Sequence, residues 1–118
     1  MDEAIEARLP LSPVDFYILL VLTDSPLHGY AMMKAVERES NGRVVLQLGS
    51  LYRVISRLKD NQLIESRPSE VPGSGPGKPK RYYEISRFGR ETLRAESARV
   101  VELAELLRGR KLHKGVPS

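Results

Sequence analysis

The sequence predicts a mainly α-helical α+β fold, and three observations support this. Residues 49–60 place apolar and basic side chains on opposite sides at the spacing of an α-helix. Two strand-like segments, 63–67 and 81–86, flank a stretch with four prolines and three glycines. Residues 87–108 form a further long helical pattern. Together they predict a winged helix-turn-helix with a two-stranded wing and a C-terminal dimerisation helix.

Composition limits the possible classes of protein. The 118 residues are 41% hydrophobic and 29% charged, which is typical of one small globular domain. There is no cysteine, so disulfide and thiol chemistry are excluded. We expect an N-terminal extension at 1–11, a DNA-binding domain at 12–86, a dimerisation helix at 87–109 and a basic tail at 110–118.

The net charge of +4 is unevenly distributed along the chain. Basic residues cluster at 78–81 and again at 108–114, as expected of a protein that binds a polyanion. On charge alone, a solvated surface with a basic tail is an equal alternative. The longest apolar run, 16–22, is too short to span a bilayer and no signal peptide precedes it, so we expect a cytoplasmic protein.

The first firm helix begins at Ser12, a favourable N-cap residue followed by Pro13 and Asp15. This helix is apolar almost all round, which predicts burial on two sides, the second against a partner subunit. A second helix is expected at about 28–40, with apolar contacts from Tyr30, Met33, Ala35 and Val36. The turn signal Asn41-Gly42 follows it.

The third helix has the features of a recognition helix. Its apolar stripe consists of Leu51, Val54, Ile55 and Leu58. The opposite face carries Gly49, Arg53, Ser56, Arg57 and Asp60, with Ser50 and Tyr52 on the flanks. A helix with this pattern rests on a core and presents a basic face to a DNA groove. Asn61 lies where a left-handed cap is expected.

The last helix is expected to run from the cap Ser86 to about Arg108, with Gly109 ending it. Its apolar positions follow coiled-coil-like spacing and form a wide stripe that predicts homodimerisation. The alternative is that this helix folds back on its own core. The predicted dimer contacts are Phe16, Leu20, Leu93, Val100, Leu103, Ala104 and Leu107.

Three motifs follow one another along the chain. They are Leu27-His28-Gly29-Tyr30, Gly49-Ser50-Leu51-Tyr52 continuing to Leu63-Ile64, and Lys80-Arg81-Tyr82-Tyr83 continuing to Gly89. In this order they resemble the motifs of the PadR-like transcriptional regulators. The resemblance covers about residues 12–93 and implies a homodimeric repressor that binds an inverted-repeat operator and is often released by an effector.

The sequence also departs from this pattern. Gln62 replaces the usual glycine, so Asn61 or Gln62 must form the turn. The chain ends soon after one terminal helix, as in the short subgroup of the family. It contains no tryptophan, on which some relatives stack planar drugs.

The predicted partner is double-stranded operator DNA. The predicted DNA-binding residues are Gly49, Ser50, Tyr52, Arg53, Ser56 and Arg57 of the recognition helix, and Lys78, Lys80 and Arg81 of the wing. Three alternatives remain open. In the first, Arg53 and Arg57 form salt bridges with Asp60 or with the neighbouring helix. In the second, Tyr52 is a half-buried packing residue, and in the third, Gly49 is only a turn residue.

A small aromatic effector is a further hypothesis. Phe16, Tyr17, Leu20, Val100, Leu103 and Leu107 are the candidate lining of a cavity at the dimer interface, although plain packing is the favoured alternative. No cofactor is expected, and His28 and His113 lack metal-ligand spacing. His28 is expected to cap or pack the second helix. The rival classes are a protein-binding winged helix and, with less support, a small enzyme.

Overall fold

The fold of the chain was examined in a computed structural model that describes residues 2–68 and 81–112. The helices are α1 (Glu3–Glu6), α2 (Pro13–Leu22), α3 (Gly29–Glu39), α4 (Leu48–Asp60) and α5 (Arg87–Arg108). The strands are β1 (Leu27–His28), β2 (Ile64–Pro68) and β3 (Arg81–Ile85). Lys78, Lys80 and most of the predicted basic tail, including His113, lie outside the described residues.

The sheet confirms the two predicted wing strands and adds a third. All neighbours are antiparallel, in the order β1-β3-β2, with Ile64 opposite Ile85 and Leu27 opposite Tyr83. β1 was not predicted because two residues are too few for a periodic pattern. β2 begins one residue later than predicted, at Ile64.

The helix starts follow the predicted capping chemistry in three cases. The backbone N of Asp15 donates to Ser12 Oγ (3.1 Å), and that of Gly89 donates to Ser86 Oγ (2.9 Å). The backbone N of Ala31 donates to Nδ1 of His28 (3.3 Å), which confirms the capping role of this histidine. α4 instead begins one residue early, at Leu48, after an N-cap residue that makes no side-chain bond.

The core lies between α2, α3, α4 and the sheet. Leu51, Ile55 and Leu58 of α4 are buried, as their stripe predicted. The prediction for Tyr30 was wrong, because its side chain is 58% exposed and Met32 is fully buried in α3. The first turn of α3 places residues 30 and 32 about 200° apart, so only one of them can face the core.

The left-handed residue after α4 is Gln62, one of the two residues expected to form this turn, and not Asn61, where the left-handed cap was expected. Asn61 has φ −85° and is the C-cap, whereas Gln62 has φ 64°. The left-handed residue of a helix end lies one position after the C-cap, which is why it falls on Gln62. The Asn41-Gly42 turn is confirmed, since both residues have positive φ (54° and 77°).

The turn at Gln62 is joined directly to the start of α5. Ser86 Oγ donates to the Gln62 carbonyl (2.6 Å), and the Ser86 backbone N donates to the Leu63 carbonyl (3.0 Å). A Cβ on Gly89 would lie 2.1 Å from the same Leu63 oxygen. The first turn of α5 therefore packs directly against the backbone of Leu63, and only glycine fits at position 89.

The N-terminal extension is held against α5 by a buried carboxylate. Glu96 is 2% exposed, accepts from the Leu11 backbone N (2.6 Å) and forms an ion pair with Arg99. The hydrogen bond from Arg99 is the main cause that holds the pKa of Glu96 below its ordinary range, against burial, which raises it. Beyond this point, residues 100–112 are exposed in the single chain.

We expect Gly89→Ala to lower the free energy of unfolding by at least about 2 kcal/mol, because a methyl group there overlaps the Leu63 carbonyl. Gly49→Ala is the matched control, since nothing lies within 4 Å of a Cβ at that helical position. It should be neutral or stabilise by up to about 1 kcal/mol. Urea unfolding measures both, and equal costs would contradict this account of the junction.

We expect the Glu96 contacts to make stability depend on pH. Because the folded state lowers this pKa, the stabilisation is present above the ordinary glutamate pKa and is lost as the pH falls through about 4 and below. Glu96→Gln should therefore be less stable than wild type at pH 7 and approach it at low pH. Glu102→Gln, on the exposed part of α5, should match wild type throughout. A pH-independent difference in urea unfolding would refute the role of the charge.

Candidate nucleic-acid interface

The outer face of α4 carries the predicted DNA-binding side chains together. Gly49, Arg53, Ser56 and Arg57 are exposed, and Ser50 is half-buried. The opposite face is closed by the core, so these groups cannot turn inward. The face is basic and polar, and its arginines lie about one helical turn apart.

Arg57 is not a free side chain. Its Nη2 donates to Oδ1 of Asp15 in the first turn of α2, as the alternative of pairing with a neighbouring helix proposed. The arginine nevertheless remains 51% exposed, while the Asp15 side chain is only 15% exposed. Because a guanidinium has five N–H donors, this pair leaves donors available to a second acceptor.

Tyr52 combines packing with exposure. Its side chain is 48% exposed, yet its hydroxyl lies 2.8 Å from where a Cβ on Gly29 would stand. Glycine at position 29 therefore lets the ring lie against the start of α3. Burial, and then proximity to Tyr52, raise the pKa of the buried Tyr83 phenol on β3. Tyr52 thus links α4 to the start of α3.

The described part of the wing also carries charge. Arg81 is exposed at the start of β3 and donates to Ser66 Oγ of β2 (3.3 Å). The next cross-strand pair joins Arg67 to Glu84 at 3.2 Å. Arg81 therefore lies at the opposite end of the strand pair from the buried Ile64 and Ile85.

Two exposed apolar residues lie at or just before the start of α4. Val45 and Leu48 are 63% and 50% exposed and precede the polar face. Neither is among the predicted site residues, because apolar side chains are usually buried. Their exposure adds apolar surface at the N-terminal end of α4.

A groove of about 370 Å³ lies between α2 and α5. Its lining comprises Phe16 and Leu20 of α2, Thr23 directly after this helix, and Arg90, Leu93, Arg94 and Ser97 of α5. Two of the predicted effector residues, Phe16 and Leu20, are among them. Val100, Leu103 and Leu107 lie farther along α5 and are exposed, so the single chain does not bring the two predicted sets into one cavity.

Within residues 2–68 and 81–112, no group of histidines and carboxylates could hold a metal ion. In the same part of the chain, no helix is both long enough and apolar enough to cross a membrane.

Comparison with known proteins agrees with this architecture. The sequence profile of the transcriptional regulator PadR-like family matches residues 18–95. An uncharacterized 37.1 kDa protein in transposon TN4556 of Streptomyces fradiae is 37% identical over 100 residues. That match covers 85% of this chain but only 25% of the relative, so the chain spans a quarter of that protein's length.

Solved structures share the fold at low sequence identity. A PadR family transcription regulator from Clostridium difficile is 20% identical with a TM-score of 0.68, covering 82% of this chain and 96% of the other. Bacillus subtilis PadR in complex with operator DNA is 19% identical with a TM-score of 0.61, covering 92% of this chain and 54% of the other.

The fold is that of a winged helix-turn-helix protein, as in the transcriptional regulators that it matches. The family match extends over more than half of the sequence and includes α3, α4, the wing strands and the start of α5. The chain belongs to the PadR-like family of transcriptional regulators.

Proposed function

We propose that this protein is a homodimeric, sequence-specific DNA-binding repressor that acts in the cytoplasm on an inverted-repeat operator. The observation that carries the proposal is the division of α4 into a buried apolar face and an exposed face with Arg53, Ser56 and Arg57. The fold shared with Bacillus subtilis PadR, a protein solved in complex with operator DNA, supports DNA binding.

The chemistry of the face suits both kinds of DNA contact. Arg53 presents a guanidinium that can donate two hydrogen bonds to guanine or bind a phosphate. Ser50 and the first amides of α4 offer further donors to a phosphate at the positive end of the helix. Arg81, together with Lys78 and Lys80 of the wing segment, would contact the backbone of the neighbouring minor groove, which positions the protein without specifying sequence.

The exposed half of α5 supports a dimer. Val100, Leu103 and Leu107 share one face and have no cover in the single chain, and contiguous apolar surface of this kind marks an interface. A second copy could place this face on the α2–α5 groove, where Phe16, Leu20 and Leu93 are apolar.

Release by a small aromatic effector is the remaining part of the proposal. The α2–α5 groove combines an apolar floor with the hydroxyls of Thr23 and Ser97 and two guanidiniums. Such a lining suits a flat apolar molecule with a few polar groups. Since the groove is part of the proposed dimer contact, a ligand there would compete with the partner's α5 and so alter how the two subunits, and hence their recognition helices, are arranged.

Selection of genomic DNA fragments by the purified protein at two salt concentrations, read by sequencing, tests the function. Enrichment of an inverted repeat would support a dimeric regulator and identify its targets. Binding without an enriched motif would argue against sequence-specific recognition. No binding at either concentration would favour the alternative, a winged helix that binds protein.

We expect Arg53→Ala to weaken binding to the enriched fragment and to reduce the salt dependence of binding by about one unit of slope, because one phosphate or base contact is lost. Arg8→Ala removes the same charge from the exposed segment after α1 and should have a much smaller effect. Fluorescence anisotropy titrations at several salt concentrations compare the two. Equal losses would show that only total charge matters.

We expect Leu103→Asp to convert the dimer to a folded monomer, because this residue is exposed in the single chain and its burial is needed only in the dimer. Leu112→Asp, at an equally apolar exposed residue beyond the end of α5, should leave the dimer intact. Sedimentation velocity reports the mass and circular dichroism the fold. A dimer in both variants would remove α5 from the interface.

A further inference from the structure

One ion pair ties the proposed recognition helix to a different helix. Arg57 of α4 bonds through Nη2 to Oδ1 of Asp15 in α2. The carboxylate side chain is 15% exposed and the arginine 51% exposed. The Asp15 carboxylate is thus largely buried, whereas the Arg57 guanidinium is exposed on the face that would contact DNA.

Asp15 is the fixed partner of the pair. Its backbone N donates to Ser12 Oγ at 3.1 Å, and its side chain lies in the first turn of α2, where unpaired amides favour negative charge. Arg57 is the movable partner, because a long flexible stem carries its guanidinium and only one of its nitrogens is bound to Asp15.

The pair can be exchanged for a contact with DNA. A phosphate oxygen or the O6 and N7 atoms of guanine accept hydrogen bonds from a guanidinium as a carboxylate does. Partly exposed ion pairs are weak, so an acceptor placed within reach can displace Asp15. While the pair is intact, however, the charge of Arg57 is largely neutralised toward a distant phosphate.

We propose that Asp15 is a specificity-determining residue that withholds the charge of Arg57 from DNA of arbitrary sequence. The arginine is released where a base or phosphate of the correct site lies close enough to replace the carboxylate. Asp15 thereby lowers nonspecific affinity, which rests mainly on charge, more than specific affinity. This inference rests on the proposed DNA-binding function and adds to it a residue outside the recognition helix.

The test uses the full chain and a 30-base-pair duplex of random sequence, the probe for nonspecific binding. Asp15→Asn should bind this duplex more tightly than wild type. Asp24→Asn, an exposed aspartate just beyond α2, is the control for the same change in net charge. The salt slope of Asp15→Asn should be steeper by about 0.9, so its advantage over Asp24→Asn should grow by roughly 3.5-fold between 200 and 50 mM salt.

A double-mutant comparison shows whether the effect passes through Arg57. In an Arg57→Gln background, Asp15→Asn should change affinity no more than Asp24→Asn does. In the genomic selection, Asp15→Asn should also reduce the enrichment of the inverted repeat over other fragments. Asp15→Ser is the second variant if circular dichroism shows that the asparagine disturbs α2.

The outcomes separate this inference from the function on which it depends. Equal affinities and salt slopes for Asp15→Asn and Asp24→Asn would overturn the inference while leaving DNA binding in place. A gain that persists without Arg57 would overturn it as well. Absence of salt-dependent binding by the wild-type protein to any duplex would overturn the proposed function itself, and this inference with it.

Discussion

The contacts of the Leu63 carbonyl join the end of α4 to the start of α5. They therefore relate the proposed DNA-binding face of α4 to the proposed dimer face of α5. This carbonyl accepts the Ser86 backbone N, and the first turn of α5 lies so close to it that position 89 has no room for a Cβ. Ser86 adds a bond to the neighbouring Gln62 carbonyl. Because these contacts involve backbone, they allow little adjustment. They set the direction of α5, and with it the exposed apolar half, relative to the basic face of α4.

Much of the fold could be predicted from local rules. Ser12 and Ser86 are side-chain caps whose geometry depends only on nearby backbone, and both begin helices as predicted. The apolar stripe of α4 was also predictable, because a helix with one polar face has one orientation available to it. β1 was not predictable, since a two-residue strand exists only through its pairing with β3. The turn after α4 was predicted only to lie at Asn61 or Gln62, because the choice between them depends on how the end of α4 is satisfied.

The candidate site divides in the same way. Which α4 residues are exposed followed from periodicity, and Arg53 and Ser56 lie where that argument put them. The partner of Arg57 did not follow, because Asp15 is 42 positions away and meets it only through tertiary packing. The same holds for Tyr52 over Gly29 and for Arg90 and Arg94 beside the groove. Sequence patterns predicted which side of a helix is buried. They did not predict which side chains of different helices meet, because those contacts form only in the packed structure.

The uncovered half of α5 has a consequence for how such a protein would respond to its own abundance. A helix whose apolar side is completed only by a second copy makes assembly depend on the number of chains present. At concentrations where single chains predominate, the population of the proposed dimer rises with the square of chain concentration. Occupancy of a two-part site would then increase more steeply than in proportion, so a modest change in synthesis or degradation would act as a threshold.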